Sequence, residues 1–167
     1  MKNLSIMLAI LLLVLACNQS VDYADKNDWE EANLQGKVRF LKQTTYAAEQ
    51  KFGQLKKAAV LAEEQQEYNP AGNLIQIIQA DSSRSLWQKT VYKYNSQQQK
   101  ISKKIYSEPD ILASIERFVY DSKGRLIEHN LLDSEQNLQA KIVFLYSGKP
   151  KKSEKIRYDA EGNLAAR

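Results

Sequence analysis

Tyrosine recurs at positions 68, 94, 120 and 146, and leucine at 86, 112, 138 and 164, each at a constant interval of 26 residues. Other columns keep their character at the same step: Ile75, Ile101 and Ile127; Tyr92, Phe118 and Phe144. A fixed period of this length constrains the chain strongly. Each unit is one supersecondary element that cannot bury its apolar side alone and must lie against the next copy.

The content of the unit says what the element is. The strings YNPAGNL, YNSQQQK, YDSKGRL and YSGKPKK begin at the tyrosine column. ADSSRSL, YSEPDIL, LDSEQNL and YDAEGNL fall half a period later. In both sets an apolar or aromatic residue closes a run, and Asp, Asn or Ser follows, whose side chain folds onto the backbone to start a turn. Gly72, Gly124 and Gly162 stand where positive φ is needed, and Leu74, Leu126 and Leu164 open the return. Between turns the runs alternate in polarity, as in Leu138, Ala140, Ile142, Phe144 and Tyr146. Pro70, Pro109 and Pro150 all fall in turn segments, where a missing N–H does no harm. The unit is therefore a double hairpin. YDSKGRL is one corner of it: Tyr120 closes a strand, Asp121 and Gly124 make the bend, and Leu126 starts back. Tyr68 with Gly72, and Tyr158 with Asp159 and Gly162, form the equivalent corners. The copies headed by Tyr94 and Tyr146 lack glycine at the expected place, so a less regular stack is expected there.

The string Tyr-Asp/Asn-x-x-Gly-Asn/Arg-Leu resembles the repeat of bacterial YD-repeat (Rhs-like) proteins. The arrangement is similar to the short lipid-anchored YD-repeat proteins of Bacteroidetes, whose lead-in GKVRFLKQTTYAAEQKFGQLKK (Gly36–Lys57) resembles. The resemblance implies a β-repeat fold over residues 36–167 and little about function. This chain is too short to build the cargo-enclosing shell of the large members.

The N-terminus carries a different signal. Lys2 precedes an apolar run, Ile6–Leu15, that is too short for a comfortable membrane span and reads as a signal-peptide core. It ends in Val14-Leu15-Ala16-Cys17, which resembles the lipobox of bacterial lipoproteins. The resemblance implies cleavage before Cys17 and acylation of its thiol. Cys17 is the sole cysteine, and loss of Lys2 takes the net charge from +4 to +3. Asn18 in the following position implies, by the same resemblance, an outer-membrane rather than an inner-membrane destination.

The expected domain plan is a signal peptide at 1–16, a lipidated Cys17 with a tether to residue 27, and one β-repeat domain at 28–167. Asn27 before Asp28-Trp29-Glu30 reads as a helix N-cap, with Gly36 as the stop, so a short helix is expected at Asp28–Gln35. A first hairpin is expected from Val38–Ala47 and Leu55–Tyr68. The fold class expected is all-β: an antiparallel meander of about ten strands, curved into an open sheet or partial barrel, with a short N-terminal helix. A flat sheet of that size leaves an apolar face wet, so curling or covering is expected, with Tyr, Phe and Leu columns on the hollow side.

Chemistry is sparse. His129 is the sole histidine, and its neighbour Glu128 points to the opposite face of a strand. One histidine and one cysteine make no metal site, and no cofactor motif is present. Glu30-Glu31 and Glu63-Glu64 are sequence neighbours, which does not make the facing pair that glycoside hydrolysis requires. The columns Tyr68, Tyr94, Tyr120 and Tyr146 are candidates for stacking on sugar rings, against a structural role as cross-strand aromatics or corner hydroxyls. Trp29 and Trp87 are weaker candidates. Lys149, Lys151, Lys152, Lys155 and Arg157 read mainly as a solvated basic corner that blunts a sheet edge. Charged residues of both signs, 26% of the chain, give no basic stripe for nucleic acid. The expectation is a non-enzymatic, outer-membrane-anchored binding or scaffolding module whose partner is an envelope protein or a glycan. An inhibitor or immunity protein against an envelope toxin or enzyme is the second reading, and a glycan-active enzyme the third.

Overall fold

The computed structural model describes residues 27–83, 87–147 and 152–166. The signal-peptide and lipobox expectations, Cys17 included, lie outside the described residues, as do Leu86, Lys149, Pro150 and Lys151.

Ten strands lie in one antiparallel sheet in strict chain order. They are β1 (Phe40–Lys51), β2 (Gln54–Tyr68), β3 (Leu74–Asp81), β4 (Trp87–Tyr94), β5 (Lys100–Glu108), β6 (Ile111–Tyr120), β7 (Leu126–Asp133), β8 (Leu138–Ser147), β9 (Lys152–Tyr158) and β10 (Leu164–Ala166). Among the described residues β1 pairs only with β2 and β10 only with β9, so the meander is open and not closed into a barrel. The all-β meander of ten strands with a short leading helix is the expected one.

The helix, α1 (Asp28–Glu31), is shorter than expected. Asn27 caps it, its side chain accepting from the Glu30 N–H at 3.1 Å. Asn33 then takes a left-handed φ of 52° and ends the helix before Gly36 is reached. The first hairpin is longer than expected. β1 does not stop at Ala47 but runs to Lys51, because Phe52 and Gly53 both take positive φ (52° and 77°) and close a two-residue turn. Phe-Gly is not a common spelling of that turn, so the sequence did not announce it.

Very little of the sheet is buried. Among the described residues the buried hydrophobics are Tyr68, Ile115, Leu132 and Ala140. They do not share one face. Ile115 is paired with Leu132. Thr90, the most enclosed side chain, sits between Ile77 and Ile105 on the opposite side, and Ala140 opposes Leu131 there. The apolar columns therefore divide between two thinly covered faces instead of lining one hollow side.

Corners make up for the missing core. At Asn69, Asn95, Asp121 and Asp133 the side-chain oxygen accepts from the N–H groups two and four residues on, at 2.9–3.0 Å. Asp159 accepts from Asn163 at 2.7 Å. In all five the residue three positions on has positive φ: Gly72, Gln98, Gly124, Gln136 and Gly162. The Tyr94 copy thus makes the same turn without glycine, Gln98 taking a φ of 62° at a strain cost of about 1 kcal/mol. The lesser regularity expected at Tyr94 does not extend to its turn geometry.

Two glycines with the same backbone conformation separate strain from packing. A Cβ on Gly72 would meet the Trp29 ring at 2.7 Å, whereas one on Gly162 meets nothing within 4 Å. Gly162→Ala should cost about 1 kcal/mol, the left-handed strain alone. Gly72→Ala should cost about 2–4 kcal/mol, because it also displaces α1. Urea denaturation midpoints of the two variants measure the difference; equal losses would show that α1 does not hold this corner.

Candidate functional site

The repeat tyrosines are joints. The hydroxyls of Tyr94, Tyr120 and Tyr146 donate to the carbonyls of Leu74, Lys100 and Leu126, at 2.8, 2.8 and 2.7 Å. Each acceptor lies 20 residues back, on the first residue of the return strand of the preceding corner. Burial raises the Tyr94 hydroxyl pKa well above the usual tyrosine range, and the Asp28 carboxylate 3.2 Å away raises it further. The Tyr146 ring carries the Arg125 guanidinium over its face at 4.6 Å. Tyr68 departs from the pattern: its hydroxyl donates to Gln66 Oε1 in a very short contact.

Neighbouring corners are also tied to each other. Asn73 Nδ2 donates to Gln98 Oε1 at 2.7 Å, and Gln99 Nε2 donates to the Gly124 carbonyl at 2.8 Å. At the head of this row α1 clamps the first corner. Trp29 N–H donates to the Gly72 carbonyl at 3.1 Å, and the Asp28 carboxylate accepts from Leu74 N–H at 2.6 Å. Trp29 Nε1 donates to the Val38 carbonyl at 2.7 Å, so this indole is committed to the clamp.

What remains for recognition lies off the repeat columns, in two places. The first is a cleft of about 410 Å³ where Gln43, Glu64, Gln79 and Gln88 stand side by side on one face with Ala62 and Asp81, and where Trp87, paired with Ala80 from the opposite face, forms the border. Glu64 organises it: one carboxylate oxygen accepts from Gln66 Nε2 at 2.5 Å, and the other from Gln79 Nε2 at 2.6 Å. Ala62, small and on the same face, leaves room that a larger strand residue would fill. Trp87 also borders a wider depression on the other side of the strands, with Val60, Ile78 and Pro109. Glu63, the sequence neighbour of Glu64, faces the opposite side and pairs with Lys42 at 2.7 Å. The two carboxylates are not a facing pair, as their adjacency in a strand implies.

The second place is a polar cluster across β5, β6 and β7. Glu116 holds Lys103 Nζ on one oxygen at 2.7 Å and His129 Nε2 on the other at 2.8 Å. Phe118 stacks on the imidazole, with ring centres 4.5 Å apart. The partner of His129 is not its sequence neighbour Glu128 but Glu116, one strand away, in the cross-strand register Phe118↔His129 and Glu116↔Leu131. A register of this kind follows from the lengths of the corners and is not visible in a single strand. Glu128 instead pairs with Lys141 at 2.5 Å. Lys155 and Arg157 of the basic corner are exposed. No group of three metal-ligating side chains occurs among the described residues, and no helix there is long and apolar enough to cross a membrane.

No protein-family model and no curated protein matches this chain. Among solved structures, a Bacteroides fragilis protein of unknown function is similar at 18% identity over 68% of this chain and 88% of that one, with a TM-score of 0.14.

Burial alone raises the Glu116 carboxyl pKa, but hydrogen bonding and charge from Lys103, then from His129, outweigh it and hold the group below the usual glutamate range. Its folded pKa is therefore below its unfolded one. The stabilisation is present above the ordinary glutamate pKa and is lost as pH falls through the folded value. The melting-temperature gap between the native chain and Glu116→Gln should be widest at neutral pH and close below about pH 4. A gap that is constant down to about pH 3 would contradict the assignment.

Proposed function

We propose that the chain is a non-enzymatic binding module, held on the outer membrane through a lipid on Cys17, which uses its β-repeat sheet as a rigid frame for a glycan ligand. One observation carries the reading. The repeating residues are spent on the frame, while the cleft at Gln43, Glu64, Gln79, Gln88 and Trp87 collects amides, a carboxylate and an indole that the repeat does not require. Amide and carboxylate groups exchange hydrogen bonds with sugar hydroxyls, and an indole offers an apolar face to a sugar ring. Few such groups are needed to fix the orientation of a ligand in a shallow cleft.

The non-catalytic part of the reading rests on the same geometry. Glu64 has both carboxylate oxygens occupied by glutamine amides, and the other carboxylates that line the cleft are engaged as well, Glu63 by Lys42 at 2.7 Å and Asp81 by the Ser83 hydroxyl at 2.9 Å. The anchor part rests on the lipobox-like string Val14-Leu15-Ala16-Cys17.

The anchor and the ligand are tested separately. Cys17→Ser should abolish lipid labelling and leave the chain unprocessed or released from the membrane; a lipid-labelled, membrane-bound variant would refute the anchor. Isothermal titration against envelope and extracellular polysaccharides should show binding that falls at least tenfold in Trp87→Ala. Undiminished binding would remove the glycan from this cleft. Ligand turnover that Glu64→Gln abolishes would refute the non-catalytic reading, and stoichiometric inhibition of an envelope enzyme would favour an inhibitor instead.

A further inference from the structure

β1 and β2 outrun the rest of the sheet. β3 pairs with β2 only from Ala62 to Tyr68, so residues 46–60 form a two-stranded ribbon that projects past the other hairpins. Such a ribbon is marginally stable in water when it stands alone. Its two sides differ. Tyr46 opposes Val60, and Gln50 opposes Leu55, on one side; Glu49 opposes Lys56, and Lys51 opposes Gln54, on the other. At the end stands Phe52, 101% exposed, beside Leu55 at 79%. Ala47, Ala48, Ala58 and Ala59 keep the ribbon thin.

The ribbon is also basic. Within residues 46–60, Lys51, Lys56 and Lys57 stand against Glu49 alone, a net charge of +2. Lys51 pairs with Glu49 at 3.1 Å, and Lys57 lies over the Tyr46 ring at 4.9 Å, close to the apolar side. An apolar tip ringed by lysines is the pattern of a segment that seats aromatic and aliphatic groups at the headgroup boundary while its ammonium groups meet anionic lipid. A convex, projecting tip suits a surface that deforms around it. The contact is shallow, because backbone groups on the ribbon's outer edges have no partners to carry into hydrocarbon.

We propose that the β1–β2 ribbon is a membrane-contact device that inserts Phe52 and Leu55 into the interfacial region of an anionic lipid surface, with Lys51, Lys56 and Lys57 on the headgroups. The contact is separate from the Cys17 anchor and from the glycan cleft. It sets how the sheet stands on the membrane.

The test uses the full chain, purified as the cell processes it, carrying Phe52→Trp. It is mixed with vesicles of phosphatidylcholine alone or with added phosphatidylglycerol, both containing bromine-labelled acyl chains that quench indole emission on contact. The parent chain, with Trp29 and Trp87, supplies the background. The emission added by Phe52→Trp should be quenched on anionic vesicles and at least threefold less on neutral ones. Adding Lys51→Glu, Lys56→Glu and Lys57→Glu should remove the quenching, while an unchanged circular-dichroism spectrum shows the sheet intact. Flotation of the chain with the vesicles reports the Cys17 anchor independently. Added emission that stays unquenched on anionic vesicles overturns the proposal, and so does quenching that ignores lipid charge. A cross-link from position 52 to an envelope protein in cells, without quenching, assigns the tip to a protein partner and also overturns it.

Discussion

The joint at the corners of Asn69, Asn95 and Asp121 is the interaction on which the sheet depends. An Asn or Asp side chain gathers the amides of its own turn, and a tyrosine hydroxyl from the next unit donates to the carbonyl that opens the return strand. A single layer of strands cannot bury enough side-chain surface to hold its register by packing. Here Ile115 and Leu132 sit on one face and Ala140 on the other, and among the described residues no continuous core joins them. Register is fixed instead from the ends, by side-chain-to-backbone bonds that repeat every unit. Each is worth about 1 kcal/mol net, but each also settles the pairing of two strands.

The joints also explain where recognition is expected to lie. A residue used in every repeat cannot be varied to suit a ligand without cost to the frame. The cleft residues Gln43, Glu64, Gln79 and Gln88, and the ribbon tip at Phe52, are outside the repeat columns and free of that duty. The clamp by α1 belongs with the frame. Trp29 and Asp28 close the first corner, where no preceding unit supplies a partner.

Much of the frame was legible in the sequence because its signals are local and periodic. The 26-residue step, the Asx residues, the glycines and the alternation of Leu138 to Tyr146 all act within one hairpin. The turn at Gln98 was less legible because positive φ there is held by Asn95 and by neighbouring corners, not by glycine. The extent of β1 was missed because Phe52-Gly53 is a rare spelling of a tight turn. The candidate site was the least legible part. Glu64 with Gln79, and Glu116 with His129, meet across strands, and such pairs follow only from registers set at the corners.

Native-state amide hydrogen exchange distinguishes a sheet held at its corners from one held by packing. The amides of Asn73, Gln99, Arg125 and Asn137, each donating to an Asx side chain four residues back, should exchange as slowly as mid-strand amides such as those of Ile105 and Ile115. Corners and strands should open together, as one cooperative unit. Corner amides that exchange freely while the strand centres stay protected would show that the sheet is held by its sparse packing, and that the joints are incidental.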